Sequence, residues 1–107
     1  MAYNPDLVDR LRPLLPIEDL DTRKMMGGFV FMLRGHMCVG VTGDKITCRV
    51  GKAAYADALE QPYAAPMDFT GRPMAGWVFV DGAAVNDEAL GEWVERCLAF
   101  NETLKAK

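Results

Sequence analysis

The sequence predicts a two-layer α+β domain of order αβββαββα, an antiparallel sheet with helices packed against one face. Three observations lead there. Asn4-Pro5-Asp6 precedes leucines at helical spacing; Met-, Phe- and Val-rich segments follow one another across short turn signals; and an amphipathic helix behind Asn86 closes the chain. Strands joined by tight turns pair locally and antiparallel, and helices outside such a meander bury their apolar stripes on one side of it.

In chain order, Asn4 supplies a cap, Pro5 suits the first helical position and Asp6 favours the positive end of the helix dipole. Leu7, Val8, Leu11, Leu14 and Leu15 form the stripe, which weakens at Pro13 and is over by Pro16. Residues 17–21 read as an acidic linking loop. The run from Thr22 to Leu33 reads as a buried strand interrupted at Gly27-Gly28, either by a bulge, the simpler reading, or by close approach of another backbone. Arg34-Gly35-His36 turns into a second strand, Met37 to Thr42, and Gly43-Asp44 into a third, Lys45 to Val50. In the third, Lys45, Thr47 and Arg49 alternate with Ile46, Cys48 and Val50, so one face is polar and the other buried.

Lys52 to Glu60 is alanine-rich and predicts a short helix that Gln61-Pro62 ends. Tyr63 to Pro66 reads as loop, Met67 to Phe69 as a brief strand, Thr70 to Pro73 as a turn and Gly76 to Val80 as a central strand. Asn86 caps the last helix, with Asp87 and Glu88 in its first turn and Leu90, Trp93, Val94, Cys97 and Leu98 on its apolar stripe. Lys105 and Lys107 complement its negative end.

A chain of 107 residues with 50% hydrophobic and 25% charged content forms one domain, 1–107, with an ordinary core and no internal repeat. Its net charge of -3 argues against broad contact with a phosphate backbone, so direct nucleic-acid binding is not expected. No apolar run is long enough to cross a bilayer, and the start of the chain has no signal-like pattern. Three cysteines, Cys38, Cys48 and Cys97, cannot all pair and lack CxxC spacing, which points to a reducing cytoplasm.

Residues that could carry chemistry are few. The single histidine, His36, shares a strand face with Cys38 if that strand is regular, yet it lacks the spacing of a zinc signature; a turn histidine beside a half-buried cysteine is the simpler reading. Cys48 and Cys97 read as core packing. With no serine there is no nucleophile elbow, and Gly27-Gly28 leads into a strand where a phosphate loop would lead into a helix. No metal, cofactor or catalytic set is predicted. The densest polar stretch is 66–80: Asp68, Thr70, Arg72 and Trp77, with Arg23, Lys24, Arg34 and Arg49 as candidate neighbours. Asp68 can accept turn amides and pair with Arg72, a structural buckle, and the same rigid arginine can anchor an anion or a partner's carboxylate.

The residues Lys24-Met25-Met26-Gly27-Gly28, Met37-Cys38-Val39-Gly40-Val41, Met67-Asp68-Phe69-Thr70-Gly71-Arg72-Pro73-Met74 and Gly76-Trp77-Val78 resemble the N-terminal domain of the TfoX (Sxy) family of bacterial proteins. The likeness runs from about Thr22 to the last helix. Its most specific part is Asp68 to Trp77, within which Gly71, Pro73 and Gly76, like Gly27 and Gly28 earlier, are structural motif positions. The family's first motif reads Met-Phe-Gly-Gly, so Met26 is a departure, conservative in volume. The resemblance implies a fold similar to secretion chaperones, a regulatory link to competence-gene transcription and no catalytic residue. Full-length members carry a C-terminal helical domain that does not appear in this sequence, so the resemblance implies a stand-alone N-domain to which that domain's DNA-linked roles do not carry over.

The expectation is a non-enzymatic interaction or regulatory module that binds a protein partner, and also itself as a homodimer, through the Asp68 to Trp77 loop and part of the sheet. The alternative is a small-molecule or anion site using Arg72 with Arg23, Lys24 or Arg49.

Overall fold

Asn4 has an extended backbone and its side-chain oxygen accepts the Asp6 N–H at 2.9 Å, so α1 (Pro5–Leu11) starts where the Asn-Pro-Asp signal places it. Pro13 tightens the next turn into a 3₁₀ turn over Arg12–Leu14, and the chain is extended by Leu15. The computed structural model describes residues 3–25, 28–68 and 73–105, and of Met25, Asp68 and Pro73 only the backbone. The remaining elements are β1 (Leu20–Met25), β2 (Gly28–Leu33), β3 (His36–Thr42), β4 (Lys45–Arg49), α2 (Tyr55–Leu59), β5 (Ala64–Asp68), β6 (Pro73–Asp81) and α3 (Asp87–Asn101).

The fold class is as expected, α+β with one antiparallel sheet, but the sheet has six strands in the order β1-β2-β3-β4-β6-β5. The extra strand comes from the segment read as one interrupted strand. Leu20 to Met25 pairs antiparallel with β2, from Leu20↔Leu33 to Met25↔Gly28, so the linking loop ends at residue 19. Gly28 is therefore not a bulge. A Cβ there would run into the Val41 carbonyl and stand 2.9 Å from Thr42 Oγ1, so the glycine lets β2 and β3 close together. Gly27 lies outside the described residues.

The other boundaries shift less. The α2 helix is shorter than expected, because Lys52 to Ala54 form a turn, while β5 and β6 both begin earlier than their apolar cores suggest. The last helix ends at Asn101 without a basic residue in its final turn; Lys105 lies beyond it, and Lys107 is outside the described residues.

Cross-strand rows sort the sheet's faces. Phe31, Val39, Cys48 and Val78 form one row and Val41, Ile46 and Val80 another, all buried toward the helices. Leu7, Val8 and Leu11 of α1, Ala58 of α2 and Leu90, Trp93, Val94 and Cys97 of α3 join them in one core. Arg10 binds α1 to the segment between β6 and α3: it donates to the Gly82 carbonyl at 3.1 Å, the Val85 carbonyl at 3.0 Å and the Asp87 carboxylate at 3.1 Å. Asn101 holds the other end of α3, its amide donating to the Leu33 carbonyl of β2 at 3.1 Å. The row Val30, Gly40, Thr47 and Phe79 lies on the face away from the helices.

Candidate functional site

Arg49 is the last residue of β4, and strand alternation directs it, with Lys45 and Thr47, to that helix-free face. It pairs with Trp77 of β6, and its guanidinium carbon lies 5.2 Å from the Trp77 ring centroid and 5.4 Å from that of Phe100. Phe100 comes from α3 and reaches the end of the sheet because Gly51, beneath its ring, carries no side chain. The chain at Gly51 has φ 84° and Gly76 has φ 92°, a region that favours glycine. The Gly76 carbonyl accepts the N–H groups of both Val50, at 2.8 Å, and Gly51, at 3.1 Å, so the end of β4 and the bend in β6 are bolted together.

An arginine between two rings is held by their quadrupoles and loses little further freedom when it meets a ligand. Arg49 makes one long hydrogen bond, 3.5 Å, to the Met37 carbonyl, and among the described residues it has no ion pair. Lys52 shares with it an open cleft of about 430 Å³, also lined by Ala53, Ala75, Trp77 and Phe100. This arrangement can accept a carboxylate or another planar anion beside an aromatic surface. Next to it on the same face, Val30, Thr47 and Met67 are buried around a shallow apolar dip bordered by Met37, Gly40 and Trp77.

The structure joins two of the predicted site residues, Arg49 and Trp77, and separates two others. Arg23 and Lys24 are on β1, three strands from β4, a distance of about 14 Å at the usual strand spacing. They also face opposite ways: Arg23 pairs across from Val30 on the helix-free face and lies 3.8 Å from Asp21, whereas Lys24 opposes Phe29 on the helix side. They do not belong to the Arg49 cleft. Asp68 ends β5 opposite Pro73, which opens β6. The Asp68 side chain and all of Thr70, Gly71 and Arg72 lie outside the described residues. Arg34, another candidate neighbour, donates instead to the Leu104 carbonyl at 2.9 Å.

His36 pairs with Leu33, a core residue, so His36 and Cys38 both lie on the helix side of β3, but each has its own surroundings. The β2–β3 register shifts between Phe31 and Met32, so Cys38 is the extra residue and turns into the core, 1% exposed. Burial, reinforced by neighbouring Cys97, pushes its thiol up to about 12. His36 lies at the strand end with Nε2 donating to the Lys105 carbonyl at 2.6 Å. Cys48 and Cys97 are core residues as expected; their mutual hydrogen bond and burial push the Cys97 thiol well above its ordinary value. Buried protonated thiols are poor nucleophiles. Among the described residues, no three His, Cys, Asp or Glu side chains converge as a metal site, and no helix is long and apolar enough to cross a membrane.

Sequence reasoning missed Phe100 and Lys52. The glycine ending β4 was a signal that something packs over it, but nothing local pointed to a ring from α3. The family model for the TfoX N-terminal domain matches residues 11–101. Neither the curated proteins nor the solved structures contain a match to the chain.

Proposed function

The chain belongs to the TfoX N-terminal domain family, and from that premise we propose that it is a non-enzymatic interaction module whose protein partner docks at the β4 end of the sheet, on Arg49 and Trp77 of the helix-free face and Phe100 of α3. The observation that carries this reading is the Arg49 guanidinium, stacked between two rings with no carboxylate partner among the described residues. Arginine and tryptophan are the side chains that most often dominate protein interfaces, and the adjacent apolar dip supplies area that water covers poorly. The partner segment therefore carries a carboxylate next to an apolar residue. Through such a partner the protein modulates transcription in a competence-like circuit of the cytoplasm, a compartment suited to three free, buried cysteines.

The test is affinity capture from native cytosol with wild type, Arg49→Ala and Trp77→Ala. Loss of the same captured protein from both variants is the expected result, and an unchanged set of captured proteins overturns the docking site. A second reading, binding of a small anion, is favoured by Lys52 beside Arg49 in the same cleft. Titration with inorganic phosphate, followed by amide shifts, separates the two: shifts confined to Gly51, Lys52 and Trp77 support an anion site, and their absence leaves the protein-docking reading as the one to pursue.

A further inference from the structure

On the side of the sheet away from the Arg49 cleft, β1 is an edge strand that, among the described residues, pairs with β2 alone. Residues 21–24 are all exposed, and the strand has no proline to blunt it. Its hydrogen-bonding direction can be read from one contact. The Thr22 N–H donates to the Asp21 carboxylate of its own strand at 2.8 Å, so this N–H is not used by β2 and lies on the outer edge. By the alternation of an antiparallel ladder, the N–H and C=O groups of Leu20, Thr22 and Lys24 all point outward there.

We propose that the protein forms a homodimer by antiparallel pairing of β1 with β1 of a second copy, centred on Thr22. A two-fold axis perpendicular to the sheet keeps the helix faces of both copies on one side, so opposed residues must come from the same face. Centring on Thr22 satisfies that rule and places the outward groups of Thr22 against those of the partner's Thr22, a hydrogen-bonded pair. Asp21 then opposes the partner's Arg23, and Arg23 the partner's Asp21, in the non-bonded positions where side chains come closest. Centring on Asp21 or on Arg23 instead sets like charges against each other. The charge pattern of β1 thus selects one register and one occupant, a copy of itself.

Asp21 and Arg23 are free to make this exchange. Their contact within one chain is long, 3.8 Å, and both side chains are mostly solvent-exposed. On pairing, Asp21 gives up the Thr22 N–H to the partner's carbonyl and turns to the partner's Arg23. Head-to-tail growth through the other edge is opposed by Pro66 of β5, which has no donor, so the assembly closes at two. The two six-stranded sheets become one of twelve, with both Arg49 clefts on the same face. The dimer does not depend on the partner-docking reading, because it uses the opposite edge.

Sedimentation velocity of the full chain over rising concentration tests the dimer, with circular dichroism to verify folding. Wild type is expected to pass from monomer to dimer. Asp21→Arg alone and Arg23→Asp alone each set like charges across the axis twice and are expected to weaken the dimer by about tenfold or more. An equimolar mixture of the two variants restores opposite charges in every pair and is expected to associate as wild type does. A wild type that stays monomeric, single variants that associate unchanged, or a mixture no tighter than its components would each overturn the proposal.

Discussion

The ring of Phe100 lies against Gly51 so closely that a Cβ added to the glycine would overlap it. Gly51→Ala therefore meets two obstacles, the ring and a backbone at φ 84°. A loss of about 2 kcal/mol or more is expected in denaturant unfolding. Gly91, inside α3 with nothing within 4 Å of its added Cβ, gives the opposite sign: Gly91→Ala should stabilise by about 0.5–1 kcal/mol.

Arg10 satisfies two carbonyls of the segment leading into α3, and its ion pair with Asp87 is largely exposed on the aspartate side. Arg10→Ala should cost about 1–3 kcal/mol, because the carbonyls lose a charged donor. Asp87→Ala should cost less than that, since an exposed ion pair contributes little. Equal costs in thermal unfolding would show that the ion pair dominates.

Alkaline stability follows from the Cys38 thiol. Its folded-state value is raised from 9.0 to about 12, chiefly by burial, so the unfolded chain releases this proton first. The contribution is fully present below pH 9 and is lost as pH rises from there toward 12, by up to about 1.4 kcal/mol per pH unit. Comparing wild type with Cys38→Ala isolates the effect: their stability difference should be constant below pH 9 and narrow above it.

Asn101 is 2% exposed, and while its amide donates to Leu33, its side-chain oxygen has no hydrogen-bond partner among the described residues. Asn101→Asp places a carboxylate there and removes the donor. Burial raises the carboxyl's folded-state value, so the variant should be most stable at acid pH and lose stability as the group ionises, by about 2 kcal/mol or more at neutrality. Urea titrations at pH 4 and pH 7 measure the difference.

The helix starts at Asn4 and Asn86 were legible because capping is local chemistry, and β4 because its alternation is strict. The β1 strand was not legible. Its sequence, Leu-Asp-Thr-Arg-Lys-Met, is polar because an edge strand needs little apolar surface, and only its pairing with β2 makes it a strand. The bulge at Cys38 was hidden for a related reason: alternation assumes a regular ladder, and the shift that turns Cys38 inward is decided by β2. At the candidate site, Arg49 and Trp77 came from composition, whereas Phe100 and Lys52 came from packing between α3 and the end of the sheet.

The strand order has a kinetic consequence. Among the described strands every pairing but one joins neighbours in sequence, and that one, β4 with β6, must bring together segments separated by α2 and β5. The β1–β4 meander and the β5–β6 hairpin can each form early from local contacts, so the search that limits the folding rate is for the β4–β6 seam. Truncating Val78 in that seam should slow refolding, whereas truncating Leu20 at the far edge should mainly speed unfolding.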